Sequence, residues 1–155
     1  MRFKIKELTP KRFFEALKRR IIYIPILINW NYSKRAKLNK EKLSKFKDFH
    51  RNKRCFILAN GPSLKDVNLN LLKDEITFGM NRIYINEDKM GYLPTYLVVS
   101  NNLVISQFTR DFQKLKTIKF FNWESNKLFA FSENIIFFRN YLSLKDNFSS
   151  NVLDG

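Results

Sequence analysis

From Arg54 onward, short apolar runs alternate with more polar stretches at a nearly constant interval. The runs 54–59, Ile76–Met80, Thr95–Ser100, Thr117–Phe121 and Ile135–Phe138 are rich in Ile, Val, Phe and Tyr. They are too short for helices and predict strands. The stretches between them, 63–73, 85–90, 103–115 and 124–130, read as helical or irregular. Connections of that length between strands are crossovers, so the pattern predicts an α/β fold with a mainly parallel sheet and flanking helices.

Before Arg54 the period changes. Thr9-Pro10 has the chemistry of a helix N-cap and first helical residue. Phe13, Phe14, Leu17 and Ile21 follow at helical spacing, with Lys11, Arg12, Lys18 and Arg19 between them. This basic amphipathic helix either lies on a membrane surface or packs on its own domain. A second helix is predicted from Ser33 to about Phe49, with Leu38, Leu43, Phe46 and Phe49 as a thin apolar stripe, and His50-Arg51-Asn52-Lys53 as a polar linker. The chain therefore divides into a basic helical extension, 1–53, and an α/β domain, 54–155. The run Ile21–Ile28 is interrupted by Pro25 and falls short of the roughly 20 residues of a membrane span. No small-residue cleavage site follows it. The expected location is the cytoplasm, with peripheral contact at the inner membrane face through residues 1–53.

Charge sharpens that division. Of the net +15, residues 1–54 carry 18 Lys/Arg against 4 Asp/Glu, and residues 55–155 carry 11 against 10. Such asymmetry fits an anionic partner, whether membrane phospholipid, acidic glycan or nucleic acid, or a Lys-rich solvated face. No nucleic-acid recognition motif is present, so nucleic acid is the weaker partner. The single cysteine, Cys55, excludes a disulfide framework and a cysteine-rich metal site, and its apolar neighbours predict a small buried residue. Asp66, Asp74, Glu75, Glu87 and Asp88 read as helix-end and surface charges, so no metal site is expected.

Each strand run ends in or near an asparagine: Asn60, Asn81, Asn101, Asn122 and, just past the fifth, Asn140. In a parallel sheet these positions share the edge where ligands bind. Neutral amides offer donors and acceptors together, which suits a ligand with phosphate, ribose and base. Asparagine is also a favoured turn residue, and the chain has 17 of them. Turn chemistry accounts for Asn122 and Asn140, whereas the flanking sequence favours a binding role for Asn60, Asn81 and Asn101. In Asn60-Gly61-Pro62-Ser63, Gly61 admits a close ligand, Pro62 stiffens the turn, and Ser63 is placed to cap a helix whose free amides favour phosphate. The pattern is neither a Walker P-loop nor the dinucleotide fingerprint.

The segments Phe56–Leu64, Ile76–Tyr84, Pro94-Thr95-Tyr96 and Val98–Asn101 resemble the 6-hydroxymethylpterin diphosphokinase-like family of unknown-function domains. That family is similar in motif and fold to bacterial sialyltransferases with a Rossmann-like sheet. The resemblance covers about 54–155. It implies that Asn60 helps hold the cytidine nucleotide of a sugar donor, that Ser63 stands by its phosphate, and that Asn81 and Asn101 line the donor and acceptor pocket. Ala59 departs from the usual glycine. The histidine base of those enzymes lies in the second half of the domain, whereas the only histidine here, His50, precedes the first strand. Similar sequences continue past a segment like Asn151–Gly155, which implies an N-terminal portion that is inactive alone. The expected function is the donor-binding portion of a nucleotide-sugar-dependent glycosyltransferase in surface glycan assembly, using a CMP-sugar-like donor and a glycan acceptor. The alternatives are an ATP- and magnesium-dependent pyrophosphokinase and a non-enzymatic membrane-surface module.

Overall fold

The computed structural model describes residues 9–139. The expectations for Asn140 and for 146–155, and those for the side chains of Lys11, Arg12, Phe13 and Arg19, lie outside the described residues. All five predicted strands form: β1 Cys55–Leu58, β2 Ile76–Met80, β3 Tyr96–Val99, β4 Ile118–Asn122 and β5 Ile135–Phe138. They make one parallel sheet in the order β1-β2-β3-β4-β5. With sequence neighbours paired throughout, every crossover steps the same way, and right-handed crossovers then share one face.

The connections are shorter and tighter than the helices expected. The predicted 63–73 element is two 3-10 segments, Pro62–Asp66 and Leu69–Leu72. Val67 is extended, and the Asn68 side chain accepts from Asn70 N to restart the turn. A 3-10 turn at Ile83–Asn86 runs into α3, Glu87–Met90, in the next crossover. Then come α4, Asn102–Gln107, α5, Thr109–Lys114, and a 3-10 segment, Trp123–Leu128. Their apolar side chains, Ile83, Met90, Ile105 and Phe112, close over Leu97, Val99, Phe121 and Phe137 of the sheet. This is the main core.

The opposite face of the sheet is partly open. Phe46 covers its centre, with its ring 5.9 Å from Tyr96 and 5.2 Å from Phe120. Toward β1 the described residues leave this face uncovered, and Ile57 is 71% exposed. Cys55 lies on this face of an edge strand and is exposed, so the expectation of a buried cysteine is corrected.

The N-terminal helices share the main core. Helix α1, Pro10–Tyr32, starts with Thr9 at the cap position and Pro10 at the first turn, as the sequence predicts. It continues through Pro25 to bury Trp30, which meets Trp123 edge to face at 5.1 Å. Helix α2, Lys34–Ser44, is capped by Ser33, which accepts from Ala36 N at 3.1 Å. It stops five residues before the predicted Phe49, and turns follow in which Asp48 and Asn52 adopt left-handed φ. Leu43 is buried but Leu38 is not, and the docking face is polar. Asn39 Nδ2 donates to Phe137 O at 2.6 Å, and Phe137 N donates to Asn39 Oδ1 at 2.7 Å. The side-chain amide stands in for a neighbouring strand along the outer edge of β5. Arg35 adds a bond to Phe129 O at 2.7 Å and Lys42 one to Ser132 O at 2.5 Å. Among the described residues, no helix is long and apolar enough to cross a membrane.

Candidate functional site

Parallel strands present their C-terminal ends on one edge, where the following turns are free to meet a ligand. Here β1, β2 and β3 are neighbours, and they lead into Asn60, Asn81 and Asn101. At the usual strand spacing the three turns lie along roughly 10 Å of edge.

Asn60 is exposed and ties the first turn to the second strand, its Nδ2 donating to Met80 O at 3.3 Å. Its Oδ1 has no partner among the described residues. Gly61 has ordinary extended backbone, φ −80° and ψ 156°. A Cβ there would meet only Ser63 Oγ at 3.6 Å, so the fold does not require glycine at this position. Ser63 lies within the 3-10 turn and does not cap it; Gly61 holds the cap position without a side-chain bond. The expected helix N-terminus is thus absent from this turn. Five residues of 3-10 helix, halted by the extended Val67, do not build a dipole end.

Asn81 sits in the left-handed region at φ 53°, which asparagine tolerates better than other side chains. Its backbone N–H donates to Val98 O at 3.0 Å and extends the β2–β3 ladder past the strand end. Beneath it the packing is tight. A Cβ on Gly79 would fall 2.5 Å from Ile83 Cγ2 and 2.7 Å from Pro94 Cγ, so glycine is required there. Asn101 is exposed and caps α4, its Oδ1 accepting from Leu103 N at 2.9 Å. One acceptor is therefore committed to the fold, and its Nδ2 is left for other partners. Asn122 is buried, and its carbonyl accepts from Ser125 Oγ at 2.7 Å in the turn that follows β4.

No family model, no curated protein and no solved structure matches this chain.

The chemistry of the edge is therefore that of its own groups, including several that the strand-end pattern did not single out. Asn102 Nδ2 donates to Glu124 Oε2 at 2.5 Å and links the turns after β3 and β4. Asn102 Oδ1 is buried with no hydrogen-bond partner. Arg82 follows Asn81, and its guanidinium carbon lies 3.6 Å from the Phe108 ring centroid. Arg82 Nε donates to Tyr84 Oη at 3.4 Å, and Tyr84 donates to Asp111 Oδ2 at 3.3 Å. Burial pushes the Tyr84 phenol up against the opposing pull of Arg82, which keeps it a neutral donor. The doubled Asn101-Asn102 and the cation beside Asn81 were the sequence signals for these groups.

The sole histidine is elsewhere. The ring nitrogen Nε2 of His50 lies 2.6 Å from the hydroxyl of Tyr96, at the start of β3, so it belongs to the opposite end of the sheet. Glu75 pairs with Arg54. Among the described residues no three His, Cys, Asp or Glu side chains are grouped to hold a metal ion. The strand order never reverses in these five strands, so the edge is an open ledge without a switch-point crevice. A ledge with amide donors and acceptors, a hydroxyl and one stacked guanidinium suits an extended polar anion better than an enclosed apolar ligand.

Proposed function

We propose that this edge binds the nucleotide part of an activated sugar donor of the CMP-sugar type, as the donor-binding portion of a sialyltransferase-like glycosyltransferase in surface glycan assembly. The observation that carries the proposal is the sequential order of β1, β2 and β3. It sets Asn60, Asn81 and Asn101 on neighbouring strand ends, beside a Gly61 that the fold itself does not need. Asn60 Oδ1 and the Asn81 amide read the base and ribose through paired donors and acceptors. Gly61 admits the backbone to the ligand. The Ser63 hydroxyl donates to a phosphate oxygen, and the Arg82 guanidinium offsets the phosphate charge. These residues bind and orient the donor; proton transfer is not assigned to them, because His50 stands at the other end of the sheet.

Thermal-shift and calorimetric titration of the chain with CMP, a CMP-sugar, and ATP with magnesium test this. CMP and the CMP-sugar are expected to raise the melting temperature, and Asn81→Gly, which keeps the left-handed backbone, is expected to remove the shift. A shift with ATP and magnesium alone would transfer the site to the pyrophosphokinase class. No shift with any nucleotide would end the nucleotide assignment.

A further inference from the structure

Helix α1 carries apolar side chains on two opposite sides. One side holds Trp30, 2% exposed, and Ile26, both against the core. At about 100° per residue, Leu17, Ile21, Ile24 and Ile28 fall within roughly 60° of one another and on the far side from Trp30. They are 42%, 57%, 48% and 55% exposed. Four large aliphatic side chains in a row on the surface of one helix are not scattered exposure; a continuous apolar stripe marks an interaction surface. Lys18 and Arg20, both exposed, flank it.

The stripe has a basic continuation. Tyr32, 83% exposed, extends it at the end of α1. Tyr32 also forms part of the wall of an open concavity of about 550 Å³ at the α1–α2 junction, lined further by Lys34, Lys37, Lys40 and Glu41. Lys40 is half-buried, its ammonium 4.9 Å from the Trp30 ring centroid, and burial first and the charge of Arg139 second push it below its usual range. Residues 10–44 hold ten Lys/Arg against Glu15 and Glu41 alone.

We propose that the outer stripe of α1 and the lysine-lined concavity beside it form one docking surface for an anionic phospholipid membrane. The aliphatic side chains enter the boundary between headgroups and acyl chains, and the exposed ammonium groups of Lys34 and Lys37 meet lipid phosphates. The helix lies along the surface, because it is not apolar enough to cross. Charge selects membrane over a second copy of the chain. A coil of two α1 helices would bring Lys18 and Arg20 beside like charges, with only Glu15 to offset them. Nucleic acid would meet the lysines and leave the stripe in water.

Sedimentation of the full chain with phosphatidylcholine vesicles, with and without phosphatidylglycerol, tests the proposal. The chain is expected to bind only the anionic vesicles. Binding should fall about tenfold or more in Ile21→Ser/Ile24→Ser and in Lys34→Glu/Lys37→Glu, with unchanged melting curves because all four positions are exposed. A chain that stays in the supernatant would overturn it. So would undiminished binding of the serine variant, which would leave charge alone at work, as for nucleic acid. A lipid-free dimer that the serine variant dissociates would assign the stripe to a second copy instead. Independently of those variants, Tyr32→Trp is expected to give a blue-shifted emission on anionic vesicles, and an unshifted spectrum would count equally against docking.

Discussion

The two ends of the sheet use similar polar residues to opposite effect. At the N-terminal end they are committed to the fold. Thr77 N donates to Thr95 Oγ1 at 3.1 Å, and Thr95 N donates to Thr77 Oγ1 at 3.0 Å. Thr117 Oγ1 donates to Pro94 O at 2.6 Å, and Asn134 Nδ2 donates to Leu115 O at 3.2 Å. Lys119, fully buried on β4, turns its Nζ back to Leu115 O at 2.6 Å and Thr117 O at 2.9 Å. Burial lowers its pKa to about 8, and the two carbonyls take up two of its N–H donors. At the C-terminal end, Asn101 caps α4 and Asn102 holds Glu124, but Asn60 makes one long bond, Ser63 caps nothing, and Gly61 is not needed. Asn134 and Asn60 share one residue type; partners and exposure separate scaffold from binding edge.

The largest expected effect tests what lies under the open end. Gly79→Ala forces a methyl into Ile83 and Pro94, and chemical denaturation should show a loss of about 3 kcal/mol. Thr95→Val removes the acceptor of Thr77 N, and the same measurement should give about 2 kcal/mol with nucleotide binding unaffected. A change in binding would break the separation of the two ends.

Lys119 makes a pH signature. Its folded pKa lies below the ordinary 10.5, so between about 8 and 10 the unfolded chain holds the proton that the folded chain has lost. Stability should therefore rise across that window, by about 1–2 kcal/mol. Lys42, lowered by burial, acts in the same direction. Burial raises Tyr84, Tyr92 and Tyr96, so above pH 10 the unfolded chain ionises first and stability should fall. Denaturation midpoints of Lys119→Met against pH should lose most of the rise. The smallest effect on stability is expected at the binding edge. Asn60→Ala and Gly61→Ala should change stability by under about 0.5 kcal/mol, while titration with CMP shows roughly tenfold weaker binding. A large destabilisation would mean that Asn60 belongs to the scaffold after all.

The strands were legible because each is a compact apolar run bounded by polar residues, and the interval between runs fixed their parallel sense. The connections were less so. Whether 63–73 forms one helix or two 3-10 turns depends on the backbone at Val67 and Asn68, which no periodicity records. Cys55 misled because Cys55–Leu58 reads as apolar throughout, whereas only Leu58 of that strand is buried. The docking face of α2 was invisible for the converse reason. Arg35, Asn39 and Lys42 read as solvated, and the partner of Asn39 lies 98 residues away. Asn60, Asn81 and Asn101 could be placed on one edge from spacing, but the Asn102–Glu124 link could not, since it joins turns after two different strands.

The twin bonds between Asn39 and Phe137 have a consequence for solubility. A bare strand edge is a template on which another chain can grow, and β5 would offer such a template to any chain with a strand to spare. One amide side chain occupies the site where growth would start. The basic helical segment is therefore also a stopper, and a chain shortened to begin after it would expose the raw edge of β5 and tend to self-associate.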